Sequence, residues 1–115
     1  MKILVIDDDE MIRDFLEDFF SELGCEVVTA ANGFEALEKV DEDIELVITD
    51  RKMPWMLGEE LIRKIKLLFP KMRTILMTGD RLSEEEEKVI KAAGADEILH
   101  KPFRLAELMQ VIKYC

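Results

Sequence analysis

The chain has 115 residues, and its 16 Lys and Arg against 26 Asp and Glu give a formal net charge of −10. That length holds one domain with one core, and so acidic a balance excludes nucleic acid as a direct partner, because its phosphates would be repelled. No apolar run approaches the ~20 residues of a membrane helix, and the short one after Met1 is broken at Asp7, too early for a signal peptide.

Cys25 and Cys115 have neither metal-site nor redox-motif spacing, so a reduced, cytoplasmic protein is expected. Cys25 is predicted to be a small buried hydrophobe and Cys115 part of a frayed terminus.

In chain order, Lys2 to Ile6 is predicted as a buried strand that ends in Asp7-Asp8-Asp9. A helix from about Glu10 to Leu23 carries Met11, Ile12, Phe15, Leu16, Phe19 and Leu23 as its apolar face, and Gly24 closes it. Glu26 to Ala30 is the second strand, Asn32-Gly33 a turn, and a short helix covers about Phe34 to Val40. The third strand, Leu46-Val47-Ile48-Thr49-Asp50, is apolar on both faces and runs straight into a carboxylate. Pro54 then delays the next helix, which follows Gly58 and continues to about Phe69. Between them, Trp55, Met56 and Leu57 form an apolar loop, open to either local packing or a partner contact.

Thr74 to Thr78 is the fourth strand. Ser83-Glu84-Glu85-Glu86 has the capping-box pattern and opens a helix that Gly94 stops after Ala93. Glu97 to His100 is the fifth strand, with His100 expected to be half-buried, and Lys101-Pro102 interrupts it. A last helix covers about Leu105 to Tyr114.

Strands alternating with helices predict an α/β fold: a flavodoxin-like, doubly wound, five-stranded parallel sheet with five helices. Its expected strand order, 2-1-3-4-5, places the switch point between strands one and three. The carboxyl ends of those strands carry Asp7, Asp8 and Asp50. Clustered carboxylates repel by roughly 4 kcal/mol per pair at 4 Å and an effective dielectric near 20, so they need a cation, a proton or a lysine. Hard oxygen ligands suit Mg²⁺. Thr78 adds a hydroxyl donor and Lys101 a mobile charge, which together make the parts of a phosphoryl-transfer site.

These residues carry a resemblance. Ile6-Asp7-Asp8-Asp9, Asp50-Arg51-Lys52-Met53-Pro54, Gly58, Thr78-Gly79, Gly94-Ala95-Asp96 and Lys101-Pro102-Phe103 resemble, in order and spacing, the receiver domain of two-component response regulators. Each signature is weak alone, whereas the ordered set spans essentially the whole chain, residues 1–115. The resemblance implies that Asp50 accepts a phosphoryl group from the phosphohistidine of a sensor histidine kinase or phosphotransfer protein. It implies Mg²⁺ held by Asp8, Asp50 and the backbone carbonyl of Lys52, with Asp7 acting through a bound water. Thr78 would hydrogen-bond the phosphoryl group, Lys101 would pair with it, and the Lys101-Pro102 bond would be cis.

The expectation is therefore a stand-alone receiver with no output domain, which catalyses its own phosphorylation and dephosphorylation. It would signal through helix four, strand five and helix five to an output protein. Three positions depart from the family pattern. Ile98 replaces the usual aromatic before the lysine, Leu57 stands where an aspartate often precedes the glycine, and Lys52 is a long basic residue two past the acceptor. Lys52 and Asp80 are expected to pair across the approach to the site. Two other readings stay open: a haloacid-dehalogenase-like phosphatase with Asp7 as nucleophile and Asp9 as acid, and an interaction module independent of phosphorylation.

Overall fold

The computed structural model describes residues 1–113, so Tyr114 and Cys115, with the expectations placed on them, lie outside the described residues. The elements are β1 (Lys2–Ile6), α1 (Glu10–Glu22), β2 (Glu26–Ala30), α2 (Gly33–Lys39), β3 (Leu46–Asp50), α3 (Gly58–Leu68), β4 (Arg73–Thr78), α4 (Glu84–Ala93), β5 (Glu97–His100) and α5 (Leu105–Lys113). All four strand pairings are parallel, and the order is β2-β1-β3-β4-β5, as expected.

The two-residue period of the strands sorts the core into layers. Ile3, Val5, Leu46 and Ile48 pack with Leu16, Phe20, Leu108 and Val111 of α1 and α5. Leu4, Ile6 and Val47 pack with Ala36, Leu61 and Ile65 of α2 and α3. Ile62, Leu76 and Ile90 join α3, β4 and α4 on that second side. Among the described residues no helix is long and apolar enough to cross a membrane.

Helix termini follow local chemistry. Asp9 caps α1 by accepting the Met11 N–H at 2.9 Å. Asn32, expected as a turn residue, caps α2 instead: its Oδ1 accepts the Glu35 N–H at 2.9 Å, so the helix starts one residue early. The capping box of Ser83 and Glu86 is present, and Gly94 closes α4 at φ +118°, where a side chain would be strained.

Three burial expectations are corrected. On α1, Phe20 is fully buried, whereas Met11 is 80% and Phe15 47% exposed. At 3.6 residues per turn, Phe20 lies about 40° from Leu16 around the helix, but Met11 about 140° and Phe15 about 100°. Leu23, expected on the same face, is the exposed C-cap. Cys25 is only partly buried at the margin of the core, and His100 is exposed rather than half-buried.

Candidate functional site

The carboxyl edges of β1 and β3 face the same mouth of the sheet. Asp7 is fully buried there, Asp50 is 8% exposed, and Asp8 is exposed. One carboxylate oxygen from each lies within 4.8 Å of the others. Asp7 is held on both sides: its Oδ1 accepts the Asp9 N–H at 2.9 Å, and its backbone carbonyl accepts Arg13 Nη1 at 2.7 Å.

Lys101 reaches this cluster from the loop after β5. Its Nζ donates to Asp7 Oδ2 at 2.9 Å and to Asp50 Oδ1 at 3.2 Å. Its backbone N–H donates to the Thr78 carbonyl at 2.7 Å, which extends the β4–β5 ladder and sets where the side chain starts. The Lys101-Pro102 peptide is cis. Burial works against the ammonium, but hydrogen bonds and attraction to Asp7 and Asp50 outweigh it, so its pKa is raised. For Asp50, burial and then the neighbouring Asp7 charge raise the pKa above the ordinary carboxylate value, against the opposing pull of Lys101.

Thr78 ends β4 fully buried, and its Oγ1 accepts the Asp80 N–H at 3.0 Å. The Nζ of Lys52 lies 2.9 Å from Asp80 Oδ2, so the expected pair is formed. Asp7, Asp8, Asp50 and Lys101 are thus one constellation, Thr78 is tied to it through the backbone, and the Lys52 side chain is paired with Asp80. Three carboxylates with hard oxygen donors suit a small divalent cation, so the pocket is compatible with Mg²⁺.

Two features escape sequence reasoning. Arg51, next to Asp50, donates through Nε to Glu59 Oε2 at 3.2 Å and through Nη1 to Glu86 Oε2 at 3.1 Å. It links the start of α3 to the capping box of α4. The residues are 8 and 35 positions apart, so no local pattern announces the contact. The second is the loop itself. Met56 is buried against Gly33, where a Cβ would meet its sulfur at 2.5 Å, and a Cβ on Gly58 would collide with the Asp50 carbonyl. Trp55, just before Met56, has φ 71° and is 78% exposed. A left-handed backbone costs a non-glycine residue about 1–2 kcal/mol. Of the loop's apolar residues, Met56 packs locally and Trp55 is exposed.

The model of the response regulator receiver domain matches residues 3–113. Sporulation initiation phosphotransferase F of Bacillus subtilis is 34% identical over 97% of this chain and 90% of its own length. Among solved structures, a CheY-like receiver domain protein from Methanospirillum hungatei is 36% identical with a TM-score of 0.91, covering 98% of this chain and 90% of that one. The response regulator TrrA of Thermotoga maritima, solved in complex with Mg²⁺-BeF, is 35% identical with a TM-score of 0.85, covering 98% and 96%. Proteins with this domain are phosphorylated by histidine kinases or phosphotransfer proteins, and neither the phosphatase nor the phosphorylation-independent reading is favoured. With sheet order, acidic pocket and lysine all agreeing with a match along nearly its whole length, the chain belongs to the response regulator receiver domain family.

Proposed function

We propose that Asp50 is the phosphoacceptor of a Mg²⁺-dependent transfer from a histidine kinase or phosphotransfer protein in the cytoplasm. The observation that supports it most is the Lys101 ammonium bonded to Asp50 and Asp7 at once. An Asp50 carboxylate oxygen attacks phosphorus, the bond from phosphorus to the histidine nitrogen breaks, and that nitrogen keeps the electron pair and takes up a proton. Asp7, Asp8, Asp50 and the Lys52 carbonyl would hold Mg²⁺, whose charge, when bound, offsets that of the phosphoryl oxygens. Lys101 supplies a second positive charge to the phosphoryl group, and the Thr78 hydroxyl a hydrogen bond. Asp7, the most buried carboxylate, is held in place by Lys101, Arg13 and the Asp9 N–H, a setting for a ligand rather than a nucleophile.

Thr78 and Lys101 adjoin α4, β5 and α5, so drawing them toward a phosphoryl group shifts the population of that face, which would meet the output protein. Ile98 on β5 is partly buried against Leu76 and Ile90, and a branched alkyl chain has no ring to swing inward.

The Lys52–Asp80 pair sets the lifetime of the phosphorylated state. Hydrolysis needs a water in line with the bond from phosphorus to Asp50, on the open side of the pocket that this pair borders. Its side chains are 68% and 44% exposed, so the pair is worth only about 0–1 kcal/mol and acts by occupying the approach. Lys52→Ala and Asp80→Ala should each shorten the phosphoprotein half-life roughly threefold, and the double variant should fall short of the product, as coupled neighbours do. Equal decay of wild type and Lys52→Ala after removal of the donor would count against this role.

The acceptor itself is tested by intact-mass measurement after incubation with acetyl phosphate and Mg²⁺, followed by mapping of the modified residue. One added phosphoryl group, absent from Asp50→Asn, is expected. Modification at Asp7 would instead revive the phosphatase reading.

A further inference from the structure

We propose that Trp55 is a docking anchor for the protein that delivers the phosphoryl group to Asp50. The inference rests on Asp50 being the acceptor and adds the residue that engages the donor.

The loop between β3 and α3 is held down at several points. Arg51 is ion-paired to Glu59 and Glu86, while Met53 and Met56 are 8% and 4% exposed. Gly58 is pressed against the Asp50 carbonyl. Among the described residues only Trp55 combines a left-handed backbone, φ 71°, with a large apolar side chain that is 78% exposed. Glycine would take this conformation freely, and a smaller polar residue would suit the solvent better. Among the described residues the aromatic pairs are Phe15–Phe19 and Phe19–Phe20, and Trp55 joins neither. Strain and exposure thus meet in one residue of the loop that leaves Asp50, and such outliers gather where function holds them.

The donor, rather than an output protein, is the occupant that this position fits. Transfer requires the donor's phosphohistidine to reach Asp50, so the surface around that histidine must cross the rim of the carboxyl edge. Trp55 lies in the loop that leaves Asp50, whereas β5 is separated from β3 by β4 in the sheet order. Charge sharpens the case. A donor carrying a phosphoryl dianion approaches a chain of net charge −10, so long-range attraction is weak at best. A buried apolar contact supplies affinity that charge does not, and Trp is the residue most enriched at such anchor points. The complementary donor surface is an apolar hollow, flanked by cationic groups facing Asp8, Asp9 and Glu10.

The test compares two donors on the full chain and its Trp55→Gly and Trp55→Phe variants. One donor is acetyl phosphate with Mg²⁺, too small to touch the rim. The other is the histidine-phosphorylated kinase or phosphotransfer domain, from those encoded in the source genome, that labels the wild type fastest. Trp55→Gly is expected to melt no lower than wild type and to react with acetyl phosphate at an unchanged rate. Its transfer from the protein donor should slow by at least about tenfold, with Trp55→Phe keeping most of the wild-type rate. As the chain has one Trp, indole emission should also shift to the blue when the donor domain is added to wild type. Equal transfer to wild type and Trp55→Gly would overturn the proposal. So would equal loss with both donors, which would place Trp55 in the reaction rather than in docking. A wild type labelled by acetyl phosphate but by no protein donor would overturn the anchor and leave the acceptor standing, whereas labelling by neither donor would sink both.

Discussion

Mg²⁺ at a hundredfold excess over its Kd should raise the melting temperature of the wild-type protein by about 10 °C. The figure follows from the ~2.7 kcal/mol that such an excess adds to the native state, and from the ~4 °C per kcal/mol of a domain this size. Binding is favoured because Asp7, Asp8 and Asp50 converge within 4.8 Å, while the one lysine among them bonds only two. The same repulsion makes Asp50→Asn stabilising in the absence of the ion, by roughly 1–2 kcal/mol, since the amide oxygen still accepts from Lys101 and the charge is gone.

The pH dependence follows from the raised pKa of Asp50. Burial and the Asp7 charge favour its neutral form, so its contribution to stability is complete below the ordinary value of 3.8 and is lost as pH rises through the elevated one. The advantage of Asp50→Asn should therefore be full at neutral pH, shrink through that window and vanish in more acid solution. Lys101 adds an alkaline limb: its stabilisation is present below 10.5 and lost as pH rises through its raised value, and the limb is smaller in Asp50→Asn, which keeps Asp7 but lacks the Asp50 charge. Thermal melts across pH, with and without Mg²⁺ at constant ionic strength, check both signs. A wild type indifferent to millimolar Mg²⁺ would count heavily against the site.

Arg51→Met should destabilise the fold by about 3 kcal/mol, far more than loss of any exposed pair. The Arg51 side chain is 11% exposed and that of Glu59 only 7%, and Glu59 Oε1 has no hydrogen-bond partner among the described atoms. Removing the guanidinium leaves a buried carboxylate with nothing to neutralise it. Glu86 is the lesser partner: its side chain is 41% exposed, and it retains the Ser83 N–H. Glu86→Gln should accordingly cost less than about 1 kcal/mol. Adding Glu59→Gln to Arg51→Met should recover much of the loss, because the cost lies in the orphaned charge more than in the lost bond. Urea unfolding of the single and double variants measures this, and an Arg51→Met curve superimposed on wild type would refute it.

The sequence by itself determined the elements whose signals are local. Runs such as Lys2–Ile6 and Leu46–Asp50 have apolar residues on both faces, which only a doubly covered parallel strand accommodates. With five alternations, handedness and the switch-point rule carried Asp7, Asp8 and Asp50 to one mouth, and the end of strand five singled out Lys101. Tertiary structure decided what depends on neighbours distant in the chain. Met11 and Phe20 are both apolar residues of one helix, and only the angle at which α1 meets the sheet buries Phe20 and leaves Met11 in water. Asn32 and Gly33 make as good a turn as a cap until Met56, from another loop, settles on the glycine. Arg51 has two carboxylate partners on two helices, a pairing of charges that composition permits many times over and packing selects once. The left-handed backbone of Trp55 lies furthest from sequence, since local propensity argues against it, and it stands between the buried Met53 and Met56.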